Sequence, residues 1–249
     1  MDKADTRVLV LGHNGMLGHV VCRSLKENKL NISTTENRFP SKGFIEDIIN
    51  SDADFLINCI GSIPQKNDKN INFLLNNFLL PVFLSSYFKN KIIHPSSDCE
   101  NIDPEDFYAD SKTKSFEFLK DNENAYIIKC SVIGPELNSK KSLWEWLTSN
   151  KNGKVLGYTN HFWNGITTLR WSEIALKIIK GEIKKNLIIV GTKKISKFDL
   201  LDILNKKLDL NIKLIKYSSD VLVDRYIPCE IVVENIEKQI HNLIMWYNK

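Results

Sequence analysis

Apolar positions along this chain fall alternately into short β-branched runs and stretches with a helical period. Val8 to Leu11 is an apolar run that stops at Gly12, and a helix-like stretch begins near Gly15. Lys29 to Thr35 reads as a second strand and Phe44 to Asn50 as a short helix, with no convincing strand before it, so the sheet is expected to be trimmed here. Asp54-Phe-Leu-Ile-Asn-Cys-Ile-Gly61 is a buried strand ending in glycine. Ile71 to Phe88 is helical, with a kink expected at Pro81, and Lys91 to Pro95 is a strand. Ser96-Ser97-Asp98 forms a polar loop before a helix starting near Tyr108, and Tyr126 to Val132 is the next strand. After Ile133-Gly134-Pro135 the pattern changes. Trp144 to Leu147 is helical, Lys154 to Tyr158 a short strand, and His161 to Gly165 a turn. Thr167 or Thr168 can cap a helix whose apolar face is Trp171, Ile174, Ala175, Ile178 and Ile179. Leu187 to Val190 reads as a strand, Phe198 to Leu208 as a helix, and Ile236, Ile240, Leu243, Ile244 and Tyr247 mark a closing helix. Strands alternating with helices predict an α/β fold, a doubly wound and mostly parallel sheet with a small C-terminal lobe over its strand ends.

The glycines of the first turn give this architecture a chemistry. Gly12, Gly15 and Gly18 stand at the one strand-to-helix connection between Leu11 and the first helix. Gly12 permits the bend, Gly15 lets backbone approach a pyrophosphate, and Gly18 lets the helix lie close to the strand, with free N–H groups facing the anion. The turn residues Gly12, Asn14, Gly15, Met16, Leu17 and Gly18 are therefore candidate cofactor contacts. Cys59, Ile60 and Gly61 close the strand whose end lies against the adenosine half of a dinucleotide in this architecture. Residues 1–135 are read as an NAD(P)-binding Rossmann core. Residues 136–249 are read as a substrate-binding lobe interleaved with the last strand and helices of that core. At the tip of the second strand Glu36 could take the ribose hydroxyl of NAD and Arg38 the 2′-phosphate of NADP. Arg38 and NADPH are favoured, because Glu36 can sit within the strand pointing aside; NAD remains the alternative.

Composition narrows the partners. The chain has 249 residues, 43% hydrophobic and 26% charged, and no apolar run of about 18 residues that could span a membrane. Its polar start, Met1 to Thr6, leads straight into the first strand and offers no secretory core, which places the protein in the cytoplasm. Five scattered cysteines without a Cys-x-x-Cys pair argue against a disulfide framework or a zinc site, and the five histidines have no metal-ligand spacing. Net charge is +4, with lysines spread among acidic residues, so no nucleic-acid stripe is visible.

Tyr108 and Lys112 are four residues apart, hence on one face of a helix. A free phenol has a pKa of about 10, and an adjacent cation favours the phenolate and lowers that value. Tyr108 could then protonate a carbonyl oxygen while hydride reaches its carbon, Lys112 could reach the nicotinamide ribose, and Ser97 could hold the same oxygen in line. In a lysine-rich chain with seven tyrosines the Tyr-x-x-x-Lys spacing alone says little, and it recurs at Tyr87 and Lys91. Only Tyr108 follows Ser97, in the order the chemistry needs. The other pair is read as structural.

Taken together, Gly12-His-Asn-Gly-Met-Leu-Gly18-His, Ile57-Asn-Cys-Ile-Gly61, Asn77-x-x-x-Pro81, Ser96-Ser-Asp98, Tyr108-x-x-x-Lys112, Ser131-Val-Ile-Gly134 and Asn164-Gly-Ile-Thr-Thr-Leu169 resemble an extended short-chain dehydrogenase/reductase. The closest likeness is to the dTDP-4-dehydrorhamnose reductase-like nucleotide-sugar reductases. The resemblance implies Ser97 as the hydroxyl assisting Tyr108, Asn77 near the nicotinamide side, and Ser131 and Ile133 bordering the nicotinamide. It also implies that the region from Trp144 to Thr168 helps bind a nucleotide-sugar. The expected activity is NADPH-dependent reduction of the keto group of a nucleotide-activated sugar, cyclic or open-chain, in surface-polysaccharide precursor synthesis. Only ten residues separate Ser97 from Tyr108, shorter than the family's usual loop, so the sugar itself does not transfer. Asp98 is followed by Cys99 where related 4,6-dehydratases carry glutamate, which disfavours dehydration. An epimerase with retained NAD and a non-catalytic NADP-binding regulator stand as alternatives. A homodimer is left open.

Overall fold

The computed structural model describes residues 6–66, 69–100, 106–138 and 140–249. The polar stretch 1–5, and residues 101–105 of the loop before Tyr108, lie outside the described residues. The chain divides into two units, residues 1–129 with 172–188, and residues 130–171 with 189–249.

In the first unit β1 (Arg7–Leu11), α1 (Gly18–Glu27), β2 (Asn31–Thr34), α2 (Lys42–Ile49) and β3 (Phe55–Asn58) follow in order. Next come α3 (Asn70–Phe73), a π-helical stretch (Leu74–Leu79), α4 (Leu80–Tyr87), β4 (Lys91–Ser96), α5 (Phe107–Leu119) and β5 (Ala125–Lys129). β1 pairs in parallel with β2 on one side and β3 on the other, followed by β4 and β5. β3 thus lies directly beside β1, and α2 makes the crossover where a strand was missing from the sequence pattern. β1 and β3 are apolar because both faces are covered, whereas β2 at the sheet edge is polar and mostly exposed. Leu9, Leu11 and Leu56 pack with Phe44 and Ile48 of α2 and Leu80 and Leu84 of α4, joined by Phe39, whose ring meets Phe44 edge-on at 5.6 Å.

The second unit carries β6 (Val132–Ile133), α6 (Leu143–Ser149), β7 (Lys154–Tyr158), β8 (His161–Trp163) and β9 (Ile166–Thr167). α7 (Thr168–Ile179) begins in this unit and ends in the first, and β10 (Leu187–Gly191) returns from the first to the second. β11 (Ile195–Ser196), α8 (Lys197–Lys207), β12 (Lys213–Tyr217), β13 (Val223–Arg225), β14 (Ile231–Val232) and α9 (Ile236–Tyr247) complete it. The main sheet has seven strands in the order β14-β10-β5-β4-β3-β1-β2, and small sheets of β11-β8-β13, β12-β7 and β6-β9 accompany it. The fold is the predicted α/β class.

Three local expectations are corrected. His161–Trp163 is a strand, not a turn, because Phe162 and Trp163 pair with Ser196 and Ile195 on one side while the same strand meets β13 on the other. The strand read as Tyr126 to Val132 breaks at Cys130 and Ser131 into β5 and β6. The kink expected at Pro81 is taken up by the π-helical stretch: proline gives no N–H to a preceding carbonyl, so the turn before it widens.

Candidate active site

The glycine turn is built as its sequence requires. Gly12 adopts φ +72°, a left-handed conformation, and Gly15 N–H donates to its carbonyl at 2.9 Å. A Cβ on Gly12 would stand 2.9 Å from the Cys59 backbone, and one on Gly18 would stand 2.1 Å from Gly12 O. β1, the turn and α1 therefore close on one another through bare backbone. α1 starts at Gly18, not near Gly15, because residues 12–17 are used in the turn. Among the described residues no protein acceptor meets the N–H groups of Met16 and Leu17, and no side chain caps α1. Two free donors beside Gly15, where a Cβ would stand 3.2 Å from Gly12 O, fit a dinucleotide pyrophosphate. Asn14 Nδ2 lies 3.0 Å from His13 Nε2. Beside the turn, Cys59 N–H donates to Leu11 O at 2.9 Å, and Ile60 N–H to Asn58 Oδ1 at 3.1 Å.

β2 ends at Thr34, so Glu36 lies past the strand and does not point aside within it. Its carboxylate meets His13 Nε2 at 2.9 Å and thus sits at the glycine turn. The Arg38 side chain is exposed and has no ion pair among the described residues; its carbonyl accepts from Ser41 N–H at 2.7 Å.

β4 delivers Ser97 and α5 delivers Tyr108 and Lys112, all within the first unit. Asp106 caps α5 by accepting from Tyr108 N–H at 2.9 Å, which fixes where the helix starts and so where the phenol emerges. Ser97 lies beside the Tyr108 phenol, near enough to favour its ionised form. The Tyr108 ring meets Phe73 edge-on at 5.7 Å. A Cβ on Gly61 would stand 3.4 Å from Asn77 Oδ1 and 3.6 Å from Lys112 Nζ, so amide and ammonium both border Gly61. Asn77 lies on the π-helical stretch and is fully buried. Its Oδ1 accepts from Ser62 N–H at 2.9 Å, and its Nδ2 donates to Ser62 O at 3.1 Å and Ser111 Oγ at 3.2 Å. The structure thus brings together Ser97, Tyr108, Lys112, Asn77 and Gly61.

The electrostatics depart from the simple pairing. Burial pushes the Tyr108 phenol above its ordinary range, Cys99, Asp98 and Glu100 add to that, and Ser97 only partly opposes it. The expectation that Lys112 would pull the phenol down is reversed: desolvation and negative neighbours win. Burial also lowers the Lys112 ammonium, with Glu100 and Cys99 pulling it back up. Behind it His94 is held neutral, its pKa lowered to about 3 by burial first and Lys112 second. Asn58 Nδ2 meets His94 Nδ1 at 3.2 Å.

Sequence reasoning missed Glu100. Its side chain is buried, accepting from Ser97 N–H at 2.9 Å and from the Ser96 hydroxyl, and it pairs with Lys129 Nζ at 2.6 Å. A signal was present: Ser97-x-x-Glu100 is the spacing of a capping box. Tyr87 and Lys91 stand apart from the site, Tyr87 exposed at the end of α4 and Lys91 Nζ on Asn124 Oδ1 at 3.1 Å. Ser131 and Ile133 belong to the second unit, where Ser131 O accepts from Ile166 N–H at 2.9 Å and Ile133 pairs with Thr167.

Residues 8–129 match the NAD dependent epimerase/dehydratase family. Among solved structures, the chain is similar to a dTDP-4-dehydrorhamnose reductase from Clostridium acetobutylicum at 14% identity, covering 98% of this chain and 100% of that one, with a TM-score of 0.77. It is similar to a dTDP-4-dehydrorhamnose reductase from Bacillus anthracis in complex with NADP at 12% identity, covering 97% and 99%, with a TM-score of 0.81. A UDP-glucose 4-epimerase from Thermotoga maritima with UDP-glucose shows 12% identity, 98% and 99% coverage and a TM-score of 0.77. At these identities the likeness is one of fold. Comparison with curated protein sequences finds no match. Among the described residues no helix is long and apolar enough to cross a membrane.

Proposed function

Because the chain belongs, through residues 8–129, to the NAD-dependent epimerase/dehydratase family of extended short-chain dehydrogenases/reductases, we propose that it reduces a nucleotide-activated keto sugar with NADPH. An NAD(P)-dependent nucleotide-sugar enzyme is the common ground of that family and of the folds it resembles. The observation that carries the finer reading is the gathering of Ser97 beside Tyr108 with Lys112 and Asn77 bordering Gly61, just past the end of a dinucleotide-type strand.

The bound dihydronicotinamide would supply hydride. Tyr108 supplies the proton: its phenol, held protonated by burial and by Cys99, Asp98 and Glu100, can give O–H to the oxygen of a keto group. Ser97 Oγ is the second hydrogen-bonding group aimed at that oxygen, and it orients the phenol. Lys112 stands where it can hold the nicotinamide ribose, and the Met16 and Leu17 N–H groups where they can hold the pyrophosphate. Glu100, the acid nearest in sequence, has its carboxylate turned to Ser96, Ser97 and Lys129, which argues against a carboxylate-driven dehydration. His13 already occupies one oxygen of Glu36 while the Arg38 guanidinium is exposed, and this supports NADPH.

Glu36 also supports a second reading. A carboxylate fixed at the glycine turn is the group that takes a ribose hydroxyl, which favours NAD and hence an epimerase that retains it. The test is loss of reduced-nicotinamide absorbance when protein is given NADPH or NADH with cyclic and open-chain nucleotide-linked keto sugars, with Tyr108→Phe as blank. Turnover with one of them is the expected result. Stoichiometric retained NAD with no net NADPH consumption would overturn it.

A further inference from the structure

Glu100 belongs to no step of the chemistry above, yet it is the most thoroughly buried carboxylate beside it, with a side chain 1% exposed. Carboxylates are rarely buried unless paired, so its partners indicate what it holds. Ser96 is the last residue of β4 and lies opposite Lys129, the last of β5. Beyond that pair the ladder stops, and Ser97 N–H finds its acceptor in Glu100 Oε1 at 2.9 Å. The same oxygen accepts from the Ser96 hydroxyl, while Glu100 Oε2 faces Lys129 Nζ at 2.6 Å. Lys129 is itself fixed, lying 4.4 Å from the centre of the Phe116 ring on α5. In return Ser97 Oγ accepts from Cys99 N–H at 3.1 Å and lies 3.2 Å from Asp98 Oδ1. Ser97 to Glu100 is thus a reciprocal turn of the capping-box kind, locked to the neighbouring strand by an ion pair.

We propose that Glu100 is the positioning residue of Ser97: tied to Lys129 at the end of the sheet, it holds the backbone from which the Ser97 hydroxyl meets Tyr108. This rests on Ser97 and Tyr108 being the reacting pair of the proposed reductase. The residue acts through Ser97 and touches neither substrate nor cofactor. Without it the strand end loses its acceptor and its cross-strand tie together, and a misplacement of about 1 Å at a reacting hydroxyl costs on the order of 100-fold in rate.

The test uses the full chain in four forms: wild type, Glu100→Ala, Ser97→Ala and the double variant, with Glu100→Gln as the conservative change. The first readout needs no substrate. The ¹³Cζ-tyrosine resonance of Tyr108, assigned by its loss in Tyr108→Phe, is expected to move in Glu100→Ala in the same direction as in Ser97→Ala, and to stay near wild type in Glu100→Gln, whose amide oxygen can still accept from Ser97 N–H. The second readout is turnover. Glu100→Ala is expected to lower kcat about 10- to 100-fold with KM for NADPH unchanged, and to cost less than about 2-fold in the Ser97→Ala background. An unmoved resonance in Glu100→Ala, or an equal loss of kcat in both backgrounds, overturns the proposal. If Glu100→Ala does not fold, Glu100→Gln/Lys129→Met carries the same comparison: Ser97→Ala must abolish any effect it has. A moved resonance with no turnover on any keto sugar would sink the reductase reading and leave the positioning of Ser97 supported.

Discussion

Asn77→Ala probes the junction between the glycine-ended strand and the helix before Pro81, and its cost follows from named bonds. Asn77 is fully buried and satisfies both backbone groups of Ser62, a residue that is itself buried. Truncation leaves Ser62 N–H and C=O without partners, at about 1–3 kcal/mol each. Ser111 Oγ keeps its bond to Tyr108 O at 2.8 Å and adds little. A loss of about 3 kcal/mol is expected, a large share of the roughly 5–15 kcal/mol of a folded domain. For a chain of this size that corresponds to a Tm lower by about 6–12 °C. Ser111→Ala removes two bonds, to Tyr108 O and from Asn77 Nδ2, but leaves Asn77 on both backbone groups of Ser62, and should cost about 1 kcal/mol. The assay is calorimetric unfolding at pH 7 of wild type and both variants. An Asn77→Ala drop below about 1 kcal/mol would refute the reasoning, because water would then be serving Ser62 and the amide would not be the tie between these elements.

Tyr108→Phe should lower kcat by about 10²–10⁴-fold with NADPH affinity retained, measured by turnover and fluorescence titration; retention of most turnover removes the phenol from the mechanism. Arg38→Ala should weaken NADPH relative to NADH while Glu36→Ala does the reverse, and an unchanged ratio of the two affinities in Arg38→Ala would discard the NADPH assignment. Gly18→Ala places a Cβ 2.1 Å from Gly12 O, a backbone atom that cannot rotate away, and should weaken cofactor binding at least about tenfold, for which about 1.4 kcal/mol suffices. His94 is neutral in the folded protein down to about pH 3, whereas the unfolded chain takes up a proton below about 6.5, so stability is full above 6.5 and falls as pH drops towards 3. Urea unfolding of His94→Asn between pH 6.5 and 5 should therefore show a shallower loss than wild type, by about 1.4 kcal/mol per pH unit at the steepest, and parallel slopes would contradict the burial argument.

Much of the first unit was legible because its central strands β1 and β3 are buried and read as apolar runs that end just before a glycine. Val8–Leu11 and Phe55–Asn58 lie side by side as their patterns require, and the gap before Phe44 corresponds to a crossover without a strand. The second unit was harder for a physical reason. β12 (Lys213–Tyr217) and β13 (Val223–Arg225) are short, half-exposed and laced with charge, and they exist because β7 and β8 offer partners more than 50 residues away. His161–Trp163 looked like a turn from Asn164 and Gly165 after it; pairing on both sides overrode that local signal. In the site, the spacing of Tyr108 and Lys112 predicted their common face, but not the sign of the effect on the phenol, which depends first on how deeply the phenol is buried and then on Cys99, Asp98 and Glu100 beside it.

That sign bears on the direction of catalysis. A tyrosine that begins by taking a proton from an alcohol must stand as the phenolate, whereas one that ends a reduction must stand as the phenol. Here burial acts first, with Cys99, Asp98 and Glu100 adding to it, while burial lowers the Lys112 ammonium against the opposing pull of Glu100 and Cys99. A protonated phenol is the state from which a proton can leave towards a developing alkoxide. The state of the phenol thus bears on the proposed reduction independently of the tip of β2, where Glu36 and Arg38 pull the two readings apart.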